Sequence, residues 1–120
     1  MTALFPVLFL AAISLFAADD SLSGNWQVRQ NIAGNESEQA CTFTQTGPEL
    51  SGSCESTRGK VQITGKVQEK KITWSYKSEY NGTPLTVNYT GTLESGKISG
   101  TVTVPEFSAD GDFTATQSKQ

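Results

Sequence analysis

From Gly24 to the C-terminus, apolar or small residues fall on alternate positions, and no stretch shows the spacing of an amphipathic helix. The pattern runs Gly24, Trp26, Val28; then Cys41, Phe43; then Leu50, Gly52, Cys54; then Val61, Ile63, Gly65, Val67. It continues with Ile72, Trp74, Tyr76; Leu85, Val87, Tyr89, Gly91, Leu93; Ile98, Gly100, Val102, Val104; and Gly111, Phe113, Ala115. Thr, Ser, Lys, Gln and Asn fill the positions between. A strand with one dry face must bury that face against other strands. Eight such strands predict an all-β domain that closes on itself, either as a two-sheet sandwich or as a barrel, because closure removes exposed edges. The sequential hairpins favour an eight-stranded antiparallel up-and-down barrel.

Gly47-Pro48, Glu69-Lys70, Asn81-Gly82 and Ser95-Gly96 each fit a two-residue turn, and such a turn sets the register of its hairpin. Counting back from Gly47-Pro48 places Phe43 opposite Gly52 and Cys41 opposite Cys54. The alternation makes the cysteines a non-hydrogen-bonded pair, the closer kind, which suits a disulfide. The same arithmetic sets Gly65 opposite Trp74, Trp74 opposite Tyr89, and Gly91 opposite Gly100. Gly24, Trp26, Gly65 and Trp74 are therefore read as structural, with inward glycines making room for two indoles in a narrow interior. Longer connections are expected at the far end, over segments 31–39, 55–59 and 105–110, with Asp110-Gly111-Asp112 as a turn. Those loops would surround a mouth.

Residues 1–18 carry no charged side chain and end in Ala17-Ala18 before Asp19-Asp20. This reads as a signal peptide, with residues 19–120 as a single barrel domain, secreted or periplasmic. The run is short for a membrane span, which needs roughly 20 apolar residues, so no stable membrane insertion is expected after cleavage. Two cysteines in an exported chain also fit a disulfide. Sequons stand at Asn35, Asn81 and Asn88.

Leu22-Ser-Gly24-Asn-Trp26-Gln-Val28 resembles the Gly-x-Trp opening of the calycins, a group that includes lipocalins, avidin-like proteins and bacterial metalloprotease inhibitors. The resemblance implies a barrel with Trp26 packed across its closed end. Size, export signal and single disulfide are most similar to the metalloprotease inhibitors. The chain also resembles small exported bacterial proteins of unassigned function. It departs from lipocalins in having no Arg on the last strand and no Thr-Asp-Tyr motif, and from avidin-like proteins in having only two Trp.

The sequence has no His, which removes imidazole bases and Ser-His or Cys-His nucleophile systems. Of its carboxylates, Glu79, Glu106, Asp110 and Asp112 could approach the mouth, but no acid/base pairing is evident, and no enzymatic activity is expected. No carboxylate spacing matches a calcium loop, so neither metal nor cofactor is expected. The net charge of −3 argues against nucleic acid. The expected function is binding of a small apolar or amphipathic molecule at the open end by a monomer, through Tyr76, Tyr80, Leu85, Val87, Val104 and Phe107. The alternative is an exported inhibitor that grips another protein through its loops while its interior stays filled.

Overall fold

The computed structural model describes residues 22–118, so the expected signal segment and its cleavage point lie outside the described residues. Eight strands follow one another in order: β1 (Gly24–Ile32), β2 (Asn35–Thr46), β3 (Glu49–Ser56), β4 (Gly59–Gln68), β5 (Lys71–Tyr80), β6 (Thr83–Glu94), β7 (Lys97–Val104) and β8 (Ala109–Gln117). Each pairs antiparallel with the next, and β8 returns to β1 to close the barrel. The meander arises because every strand has one apolar face and a connection too short for anything but a hairpin.

The registers computed from turn chemistry hold. Thr46 faces Glu49, Phe43 faces Gly52, and Cys41 faces Cys54. Gly65 faces Trp74, Trp74 faces Tyr89, and Gly91 faces Gly100. Cys41 and Cys54 are disulfide-bonded, with Cα atoms 4.0 Å apart.

The connections at the far end differ from expectation. Segment 31–39 is no long loop: β1 runs to Ile32 and turns through Ala33 (φ 53°) and Gly34 (φ 87°). Asn31 Oδ1 accepts the Gly34 N–H at 3.0 Å. Segment 55–59 is likewise a tight hairpin, in which Ser56 Oγ accepts the Arg58 N–H at 3.2 Å. Residues 35–38 (Asn-Glu-Ser-Glu), which follow the first of these turns, are exposed on both strand faces, so period two carries no signal there. Asp110-Gly111-Asp112 is strand, since β8 begins at Ala109. Asn81-Gly82 also lies at this end, because hairpins alternate ends along a meander. Only one connection here is longer than a tight turn, and it holds the 3-10 turn Pro105–Phe107.

Gly65 stands opposite Trp74 as the alternation requires, but the space it leaves serves another purpose. A Cβ on Gly65 would stand 1.9 Å from the Thr73 carbonyl oxygen and 2.7 Å from the Trp74 Cα. What the missing side chain admits is therefore the backbone of the neighbouring strand, more than the indole. Gly111 meets the Asn31 carbonyl oxygen at 1.7 Å in the same way. Strands in a small barrel coil sharply, and glycine allows such close approach.

Inside, five rings form a continuous cluster in the half nearer the 47–48, 69–70 and 95–96 turns. Trp74 stacks on Tyr89 at 4.7 Å and meets Phe43 at 5.1 Å and Phe113 at 5.3 Å edge-on, while Trp26 lies 6.0 Å from Phe43. Leu22, ahead of the first strand, is buried and closes this end. Trp26 Nε1 donates to its carbonyl oxygen at 2.8 Å, and Gln45 Oε1 accepts its N–H at 2.8 Å. The barrel and the position of Trp26 are consistent with a calycin-like fold.

Candidate functional site

The wall of the barrel is parted between β4 and β5. Their ladder covers residues 64–68 against 71–75 and stops at Thr64 and Ser75. Both strands nevertheless continue towards the open end. β4 stays paired with β3 as far as Gly59, and β5 with β6 as far as Tyr80. Residues 59–63 and 76–80 thus border a window in the wall.

A cleft of about 470 Å³ occupies the window, with Arg58, Lys60 and Val61 on one side and Tyr76, Lys77 and Glu79 on the other. Gln39 lines its back and Pro84 its outer margin. Above it the two sides meet again where the Arg58 guanidinium lies 5.6 Å from the centre of the Tyr80 ring. Tyr80 in turn packs edge-on against Phe107 at 6.1 Å. Phe107 is carried on the 3-10 turn, which Glu106 ties to β6. Thr86 donates to the Glu106 carboxylate from its N–H and from its hydroxyl, each at 2.9 Å. The backbone donor foremost holds the Glu106 carboxyl below its ordinary value.

Behind the window lies a polar belt that the period-two reading did not single out. Gln30 and Gln39 are only 9% and 8% exposed, on the interior parity of β1 and β2. Tyr89 donates its hydroxyl to Gln30 Oε1, and Gln39 Nε2 donates to the Tyr76 hydroxyl at 3.2 Å. Gln39 Oε1 is a further 3.5 Å from the Tyr89 hydroxyl. Burial foremost, and then the neighbouring Tyr76 phenol, push the Tyr89 pKa far above its ordinary value, so that phenol stays neutral and remains a donor. The one signal that could have found the belt was parity: Gln30 follows Val28, and Gln39 precedes Cys41, on the dry face. A glutamine on a dry face must be hydrogen-bonded there.

The residues expected to bind ligand divide into three groups. Tyr76 lines the cleft. Val87 and Val104 are buried in the core, and Leu85 packs against it. Tyr80 and Phe107 form the exposed rim pair, at 47% and 46% exposure. Tyr80 pairs with Thr83 at the end of the β5–β6 ladder, beside the hairpin tip, which leaves its ring half-exposed at the rim. The four carboxylates near the mouth are not brought together. Glu79 is in the cleft, Glu106 is on Thr86, and Asp110 and Asp112 sit on β8, which pairs with β1 and β7.

No protein-family model matches the sequence, and no curated protein matches it significantly.

Proposed function

We propose that the protein is an exported, non-enzymatic binding protein that takes a small amphipathic molecule into the window between β4 and β5. The observation carrying this reading is the parted ladder. A barrel whose only task was to be stable would gain by pairing the 59–63 and 76–80 backbones. Here they border a cleft of about 470 Å³ backed by buried hydrogen-bonding groups. That volume lies in the range of small-molecule sites, roughly 300–1,000 Å³. The ring cluster below leaves the ligand in the wall and upper half instead of along the barrel axis. Binding needs neither cofactor nor metal, and the monomer presents the whole site.

The test is titration with a neutral apolar fluorophore, N-phenyl-1-naphthylamine. The expected result is saturable one-to-one binding that Val61→Trp, which fills the cleft, abolishes without lowering the melting midpoint. Absence of saturable binding, or binding indifferent to Val61→Trp, rejects the window.

The rim favours a second reading. Two exposed aromatics, Tyr80 and Phe107, held together at the open end are what an anchor for a partner protein looks like. An exported inhibitor acting through this rim predicts that Phe107→Ala weakens a protein complex and leaves fluorophore binding unchanged.

A further inference from the structure

We propose that the window selects organic anions, specifically a carboxylate on a compact aromatic or alicyclic body. This inference rests on the window being the ligand site. Three observations carry it. The first is charge. The chain as a whole is negative, at −3, yet the cleft is lined by Arg58, Lys60 and Lys77 against the single carboxylate of Glu79. Lys77 Nζ donates to the Thr86 hydroxyl at 3.0 Å, beside the Glu106 carboxylate, and so is engaged on the outer surface. Arg58 and Lys60 remain, and among the described residues the ion pairs are Arg29 with Glu38 and Lys66 with Glu49, neither of which involves them.

The second observation is the geometry of Arg58. Its guanidinium, a planar fork of N–H donors, lies 5.6 Å from the centre of the Tyr80 ring and has no ion-pair partner among the described residues. That fork matches a carboxylate in bidentate fashion, and stacking on an aromatic face is compatible with it.

The third observation limits the body of the ligand. Val61, Pro84 and the Tyr76 ring supply apolar walls, and Gln39 behind them offers an amide. Directly below, Tyr76 lies 6.3 Å from Tyr89, which stacks on Trp74 at 4.7 Å. This floor of rings stops a long alkyl chain from descending into the barrel. A flat, short body fits the space; an extended one does not.

The experiment compares 1-naphthoate with 1-naphthamide, which share one body and differ in charge, by fluorescence titration of the native protein. Naphthoate is expected to bind at least about tenfold more tightly than the amide, with an advantage that shrinks as salt is raised. The exposed double variant Arg58→Gln, Lys60→Gln is expected to erase that advantage and keep the parent melting midpoint. Equal affinity for the two compounds, or a preference that survives the double variant, overturns anion selectivity while leaving the window standing if N-phenyl-1-naphthylamine still binds. If neither naphthyl compound nor the neutral fluorophore binds, both the selectivity and the window fall together.

Discussion

The two halves of this barrel are built from the same strands by opposite rules. In the closed half every strand is hydrogen-bonded on both sides, glycines let backbones touch, and five aromatic rings and Leu22 leave nothing polar unaccounted for except Trp74 Nε1, a buried donor with no partner among the described residues. In the open half β4 and β5 separate, the interior carries two glutamines bonded to Tyr76 and to the hydroxyl that Tyr89 extends from the ring cluster, and the outermost contacts are an exposed cation–ring pair and an exposed ring pair. Packing density is what stabilises the first half. Hydrogen-bond satisfaction is what makes the second half tolerable. A protein that keeps its stability in one half can leave the other free to hold something.

The largest effect expected from breaking this division is in the closed half. Gly65→Ala places a methyl group within 1.9 Å of a carbonyl oxygen on the adjacent strand. It should cost more than about 3 kcal/mol, beyond the usual range for overpacking, because backbone cannot rotate away. Chemical denaturation measures it, and a variant as stable as the parent would mean that the strands are less close than described.

Next comes the covalent tie between β2 and β3. Replacing both Cys41 and Cys54 by Ala frees two positions separated by 13 residues and should lower stability by about 3 kcal/mol through the gain in unfolded-chain entropy. Comparing reduced and oxidised parent by the same denaturation curve checks whether the loss is that of the bond itself.

The polar belt should be worth less. Tyr89→Phe leaves the Gln30 carbonyl without its donor and is expected to cost about 1–3 kcal/mol. The same phenol predicts the alkaline behaviour. Its folded pKa is raised, so the folded chain keeps a proton that the unfolded chain releases above its ordinary value of 10.0. Its contribution is therefore intact below about pH 10 and falls above it, by about 1.4 kcal/mol per pH unit. Denaturation midpoints across that range should drop more steeply for the parent than for Tyr89→Phe, and parallel curves would contradict the assignment.

The smallest effects belong to the rim. Phe107→Ala should change stability by no more than about 0.5 kcal/mol, as exposed positions do. The Glu106 tie to Thr86 is present above the ordinary carboxylate range and is lost as pH falls through the lowered Glu106 value. The Thr86 amide resonance should follow that acid titration in the parent and remain still in Glu106→Gln.

How far each half was legible follows from the same contrast. Cys41–Cys54 and the Trp74–Tyr89 pairing could be computed because a two-residue turn propagates its register strand by strand, with no knowledge of the rest of the molecule. Ala33-Gly34 escaped because residues 33–38 are exposed on both faces and impose no alternation, and Thr57-Arg58 because the exposed Glu55, Gly59 and Lys60 beside it interrupt the pattern. Parity assigned Gln30 and Gln39 to the interior in principle. Only the bonds to Tyr89 and Tyr76, residues 59 and 37 positions away, explain why glutamine is stable there.

Taken by itself, then, the amino-acid order determined the number of strands, their sequence of pairing, the faces they bury within the core and the disulfide, but not the strand ends at the open rim; what it determined depends on side-chain period and turn chemistry within a hairpin. Tertiary structure alone decided where β4 leaves β5, what fills the height of the barrel, and which rim residues meet across the opening. Those features depend on twist accumulated around the closed ring of eight strands. Period two says which face a residue takes, but it carries no information about depth along the barrel axis or about the distance between strands once their ladder has ended.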